Sequence, residues 1–151
     1  MKGPPVRGRT ITRVNELERA LTAVLERRRE VLVAYLFGSQ ARGTARTLSD
    51  VDVAVLLGEG DSRHAVVLEL AAELSGAAGG RHVDVVVLNT APVALAFRVI
   101  RDGRLLLCRD ERARVEHWAR TVDRYIDMAP FRRTLAEGTR HRIDEGRFGR
   151  R

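Results

Sequence analysis

The residues from Asp50 to Val55 alternate between two kinds of side chain, and this alternation restricts the fold more than any other feature of the sequence. Asp50, Asp52 and Ala54 occupy every second position, with a valine after each of them. Successive side chains of a β-strand point to opposite faces of the sheet. The pattern therefore predicts a strand, Val51 to Leu57, with an apolar face and with two carboxylates together on the other.

A second apolar run, Val31 to Phe37, ends at Gly38-Ser39. Its β-branched and aromatic residues predict a buried strand that runs into a turn. Gly38 lets the backbone come close to a ligand, and the hydroxyl of Ser39 could join the N–H groups of a following helix to hold an anion such as phosphate. A Gly-Ser pair alone identifies no function.

A third acid, Asp84, lies within another strand-like run, His82 to Leu88, where acids are scarce because they pack poorly and are costly to bury. Carboxylates that lie close together resist joint ionisation unless a cation offsets them, and Mg²⁺ binds carboxylate oxygens together with substrate phosphates. The alternative for Asp50 and Asp52 is a solvated strand edge. A third acid on a second strand favours magnesium–nucleotide chemistry.

These residues resemble the minimal nucleotidyltransferases of the polymerase-β superfamily. The pattern of that family is an apolar residue, Gly-Ser, Asp-x-Asp and a later Asp on a strand, and it is matched by Gly38-Ser39, Asp50-Val51-Asp52 and Asp84. The sequence Gly-Ser-Gln-Ala-Arg-Gly that begins at Gly38 also looks like that of the subgroup. A weaker resemblance, to antitoxin-type members paired with HEPN toxins, continues through Phe97 to Leu106 and Tyr125 to Phe131.

The resemblance implies an α/β (α+β) fold, with a small, mixed, partly antiparallel sheet flanked by helices. It implies that Asp50, Asp52 and Asp84 are catalytic and hold two Mg²⁺ ions, that ATP is the substrate, and that Gly38 and Ser39 bind its β- and γ-phosphates. Two further nucleotide-binding candidates each have a simpler alternative. Arg42 lies one helical turn past Ser39 and could contact phosphate or only solvent, and Ser49 could orient Asp50 or cap a turn.

The function implied is the transfer of AMP from ATP to a tyrosine of a cognate HEPN ribonuclease toxin, by a magnesium-dependent adenylyltransferase that acts as the antitoxin. One alternative is nucleotidyl transfer to a small hydroxylated molecule such as an aminoglycoside, for which the chain after Cys108 is short. The other is a non-catalytic antitoxin that acts by binding alone, which would not need the three acids.

The length of 151 residues suits a single domain. We expect residues 1–12, rich in Pro, Gly and Arg, to be mobile, and the helices of residues 111–151 to bind the partner. Apolar residues at helical spacing predict helices that start near Asn15, near Ser62, at a cap formed by Asn89 or Thr90, and at Asp110, with Pro130 breaking the last. The predicted apolar face of that last helix is Val115, Trp118, Val122 and Tyr125 or Ile126.

The net charge of +7 is unevenly distributed. Residues 31–110 carry eight basic and nine acidic side chains, so the excess lies in the flanks, and we do not expect direct nucleic-acid binding at the site. No apolar run approaches the roughly 20 residues of a membrane span, and the start lacks a signal-peptide core, which favours the cytoplasm. Cys108 is predicted to be a buried, inert thiol, and His82 to lie beside Asp84.

Overall fold

The computed structural model describes residues 16–38, 41, 50–60 and 63–144. In chain order these form helix α1 (Glu16–Glu26), strands β1 (Val31–Phe37) and β2 (Val51–Leu57), helix α2 (Arg63–Ala77), strand β3 (Val83–Val87), helix α3 (Val93–Asp102), strand β4 (Arg104–Cys108), and helices α4 (Glu111–Asp127) and α5 (Ala129–Asp144). The predicted α/β order is confirmed. The expected cap at Asn15 and the expected mobility of residues 1–12 lie outside the described residues.

The four strands form one sheet in the order β3-β2-β1-β4. Strand β1 runs antiparallel to β2 and β4, whereas β2 and β3 are parallel. Parallel neighbours need a crossover connection, which α2 provides. The small, mixed, partly antiparallel sheet is therefore confirmed.

The two faces of β2 pack against different helices, and its three valines share one face, as the alternation predicts. Val51, Val53 and Val55 are buried with residues of α1 and α2, among them Leu21 and Leu70. On the other face, Ala54 and Leu56 are buried with β1 residues and with Ala96 and Val99 of α3. Asp52 shares the face of Ala54, so its carboxylate lies on the α3 side of the sheet.

The predicted cap of α3 is wrong. The N-cap residue is Pro92, which makes no side-chain cap hydrogen bond. The Asn89 amide instead accepts a hydrogen bond from the Leu57 N–H at 2.9 Å and donates one to the Leu57 carbonyl at 2.8 Å. This pairing satisfies backbone groups at the end of β2, which is why the amide is not available to the helix. Gly103 ends α3 as predicted.

Helix α4 begins as predicted, because the Asp110 carboxylate accepts a hydrogen bond from the Ala113 N–H at 2.9 Å. The break near Pro130 is also confirmed, since α4 ends at Asp127 and α5 begins at Ala129. Within the described residues, no helix has both the length and the apolar character that a membrane crossing requires.

The buried face of α4 differs from the prediction. Arg114, His117 and Thr121 are its buried residues, while Val115, Trp118, Val122 and Tyr125 are only partly covered and Ile126 is 62% exposed. Polar groups can be buried here because they have partners: Arg114 donates to the Glu111 carboxylate, and the His117 ring hydrogen-bonds to the Leu88 backbone. Cys108 is half-buried rather than buried, and its thiol contacts Glu111 at 3.2 Å.

Candidate active site

Two of the three acids lie side by side on neighbouring strands. In the parallel pairing of β2 with β3, Asp52 lies opposite Asp84. The Val51 N–H donates a 3.0 Å hydrogen bond to the His82 carbonyl, which fixes the two strand starts side by side. Asp50 immediately precedes β2, so the structure brings all three acids to the same end of the parallel pair.

Gly38 completes this end of the sheet from β1, whose last residue, Phe37, pairs with Asp52. Gly38 has a φ of 71°, a backbone conformation that L side chains rarely adopt. A Cβ atom at this position would lie only 2.5 Å from Asp52 Oδ2. The space directly in front of the Asp52 carboxylate therefore depends on the absence of a side chain at Gly38.

The environment of Asp52 disfavours its charged form. Burial raises the pKa of the Asp52 carboxyl first, and the charges of Asp84 and Asp50 raise it further. Asp50 and Asp84 are themselves exposed. A cation placed among the three carboxylates would relieve this repulsion.

Among the described side chains, no three of His, Cys, Asp or Glu form a group that could hold a metal ion by themselves. Mg²⁺ does not need such a cage, because it is usually bound by one or two carboxylates together with substrate phosphates and water. The two paired strand ends therefore carry carboxylate oxygens, the type of ligand that Mg²⁺ prefers. Burial and the neighbouring acids raise the pKa of the Asp52 carboxyl, so this site fits an Mg²⁺ ion that arrives with a nucleotide.

His82 lies beside the third acid, as the period of the strand predicts. Its Nε2 is 2.8 Å from Asp84 Oδ1, and both side chains are more than half exposed. This contact restricts the direction of the Asp84 carboxylate.

Arg104, which sequence reasoning missed, connects three parts of the chain next to Gly38. Its Nη1 donates to Glu18 Oε1 at 2.5 Å, and its Nε and Nη2 donate to the Ala41 carbonyl at 3.4 and 3.3 Å. Ala41 lies three residues after Gly38, so Arg104 ties that segment to α1 and β4. An arginine at the start of a strand gives no local signal of this contact.

Ser39, Arg42 and Ser49, which the sequence singles out for nucleotide binding, lie outside the described residues. Of the other histidines, His64 is exposed on α2 and His117 is buried against Leu88, far along the sheet from Asp84.

Residues 19–112 match the family model described as polymerase beta, nucleotidyltransferase. No curated protein matches the chain.

Solved structures similar to this chain include toxin–antitoxin complexes. One, a toxin–antitoxin with AMP-PNP, gives a TM-score of 0.70 at 26% identity and covers 81% of this chain and 97% of its own. Another, a mutant of the MntA–HpeT toxin–antitoxin, has a TM-score of 0.69 at 26% sequence identity. The match covers 81% of this chain and 96% of that one.

A third is the tri-AMPylated Shewanella oneidensis HEPN toxin in complex with MNT antitoxin. It has a TM-score of 0.65 at 23% sequence identity, and the match covers 82% of this chain and 95% of that one. At that identity the similarity shows only a shared fold. Since the family match extends over more than half of the chain and includes β1, β2, β3 and the three acids, the chain belongs to the polymerase beta nucleotidyltransferase family.

Proposed function

We propose that the protein is a magnesium-dependent adenylyltransferase that transfers AMP from ATP to a tyrosine of a cognate HEPN ribonuclease toxin and thereby acts as its antitoxin. The observation that carries the chemistry is the register of Asp52 with Asp84, with Asp50 and Gly38 at the same strand ends. The choice of AMP is motivated by a similar structure, a toxin–antitoxin with AMP-PNP, and the choice of a HEPN toxin by the sequence resemblance to antitoxin-type minimal nucleotidyltransferases.

In this proposal Asp50, Asp52 and Asp84 hold two Mg²⁺ ions, which when bound supply positive charge that stabilises the triphosphate and the leaving pyrophosphate. The phosphates approach the backbone at Gly38, where no side chain stands in front of Asp52. Ser39, Arg42 and Ser49 are proposed as further nucleotide-binding residues on the basis of sequence. Arg104 bonds to the carbonyl of Ala41, which stands between the first two in the sequence.

The reaction is an in-line substitution. The tyrosine oxygen forms a bond to the α-phosphorus, the bond from that phosphorus to the bridging oxygen breaks, and pyrophosphate leaves with the electron pair. Asp84 is the proposed acceptor of the phenolic proton, because its carboxylate is open to solvent and its direction is restricted by His82.

The partner surface is proposed to be the apolar side of the C-terminal helices. Ile126, Met128, Phe131 and Leu135 are exposed there, by 62%, 39%, 58% and 52%. The Tyr125 ring stacks on Phe97 of α3 at 3.7 Å, so this part of α4 is held firmly to the rest of the fold. Several large apolar side chains exposed along one stretch of helix are typical of a protein–protein contact.

The test is incubation of the full chain with α-labelled ATP, Mg²⁺ and its cognate HEPN toxin, followed by gel and peptide mapping. We expect label on a toxin tyrosine, and loss of label with the Asp50→Asn/Asp52→Asn variant. A matched control, Glu26→Gln/Glu59→Gln, removes two exposed carboxylates elsewhere and should label as the wild type does.

Equal labelling by the Asp50→Asn/Asp52→Asn variant would refute the assignment of the acids. If that variant labels nothing yet still neutralises the toxin in cells, inhibition by binding alone is the correct function instead.

A further inference from the structure

A cavity of about 220 Å³ lies at the opposite end of β2 and β3 from the acids. Leu56 and Leu88, near the ends of the two strands, line it together with residues of α3 and α4. Leu56 is four residues beyond Asp52 on the same strand, which is roughly 13 Å at the rise of a β-strand. The cavity is therefore separate from the candidate active site.

Three arginines line this cavity. Arg63 comes from the start of α2, and Arg120 and Arg124 lie one turn apart on α4. The cavity wall described by the structure contains no carboxylate, and none of the three guanidinium groups lies within ion-pair distance of an acid in the described part of the chain. Among the described residues, no direct ion pair therefore neutralises these three arginines.

The cavity wall also carries buried polar side chains. His117 and Thr121 are buried, and their Nε2 and Oγ1 atoms are 3.5 Å apart. Burial lowers the pKa of His117, and the charges of Arg120 and Arg124 lower it further. Arg120 and Arg124 are exposed to solvent, yet they lie close enough for their charges to act on His117 in the cavity wall.

We propose that this cavity is a second binding site, for a small anion that carries a phosphate group. Guanidinium groups match the oxygens of phosphate geometrically, and convergent arginines without acid partners are the arrangement that recognises it. The cavity is smaller than the roughly 300–1,000 Å³ of sites for drug-sized ligands, so it suits inorganic phosphate, pyrophosphate or the phosphate of a nucleoside monophosphate. This site is independent of the proposed transfer reaction.

The test is calorimetric titration of the full chain with phosphate, pyrophosphate and AMP in separate arms, in EDTA and at constant ionic strength. The arm that binds most tightly identifies the source of the phosphate group. We expect the Arg120→Gln/Arg124→Gln variant to bind that ligand at least about tenfold more weakly, since each lost charged hydrogen bond weakens binding by about that factor.

The matched control, Arg112→Gln/Arg133→Gln, removes two exposed arginines that do not line the cavity and should bind within about twofold of the wild type. In an NMR titration, the bound anion should also raise the pKa of His117 by offsetting the charges of the arginines.

The proposal is overturned if none of the three anions binds, if sulfate binds as tightly as the best of them, or if the control variant loses as much affinity as the arginine variant. It is also overturned if the arginine variant loses toxin binding while the wild type binds no anion, since the arginines would then form a contact to the partner protein.

Discussion

Replacement of Gly38 by alanine should have two separate effects, backbone strain that lowers stability and displacement of Asp52 in the candidate active site. The added Cβ would lie 2.5 Å from Asp52 Oδ2, and ordinary van der Waals contact requires the carboxylate to move by roughly 1 Å. The moving atom is the end of a side chain, so relief of the clash adds little to the stability cost. That cost comes mainly from a non-glycine residue at φ 71°, about 1–2 kcal/mol.

Gly79 provides the matched control. It has the same φ of 71°, and a Cβ there would meet nothing within 4 Å. Gly79→Ala should therefore lose the same free energy of unfolding as Gly38→Ala, which for a chain of this size lowers Tm by about 2–8 °C. Only Gly38→Ala displaces Asp52, and a displacement of that size reduces the transfer rate by about 100-fold.

The assays are chemical denaturation for both variants and initial rates of AMP transfer at saturating ATP and Mg²⁺. Equal losses of stability, with activity lost only in Gly38→Ala, are the expected outcome. If both variants transfer AMP at similar rates, the empty space in front of Asp52 has no role in the reaction and the reasoning fails.

Two further predictions concern charge and surface. Asp52→Asn should raise Tm at pH 7, because the wild-type carboxyl has a pKa raised by burial and by Asp84 and Asp50 and its ionisation opposes folding. The difference in Tm between the variant and the wild type should shrink as the pH falls toward the pKa of the Asp52 carboxyl, because the wild-type group is then protonated in the folded protein. A difference in Tm that does not depend on pH would contradict this electrostatic cause. Phe131→Asp/Leu135→Asp should weaken toxin binding by about 100-fold or more in a calorimetric assay, as hot-spot losses do. Leu68→Asp, at a site 60% exposed on α2, should leave binding unchanged, and equal weakening by both variants would show that the patch is not the contact.

Local periodicity predicts much of the sheet and of the site. The alternation after Asp50 places the valines of β2 in one core and Asp52 on the other face, and the same period places His82 beside Asp84. Spacing within one strand is sufficient here, because backbone geometry alone decides which side chains share a face.

Contacts between distant parts of the chain are harder to predict from the sequence. The family resemblance implies that Asp52 and Asp84 belong to one site, but no pattern in the sequence predicts that they pair, since register depends on how two strands meet. Asn89 is a residue type that often caps helices, but its amide bonds to Leu57, and the buried Arg114 of α4 interacts with Tyr35 of β1. Each case depends on a partner that no local pattern reveals.

The crossover between the parallel strands has a consequence for how the chain can vary. Neighbouring strands lie about 4.8 Å apart whatever connects them, so the backbone separation of Asp52 from Asp84 is set by the sheet and not by the length of the intervening chain. The turns on either side of α2, near Gly58 and Gly79, can therefore gain or lose residues while the two carboxylates keep their spacing. A nucleotidyltransferase of this kind can be remodelled around α2 without being rebuilt at the acids of its candidate active site.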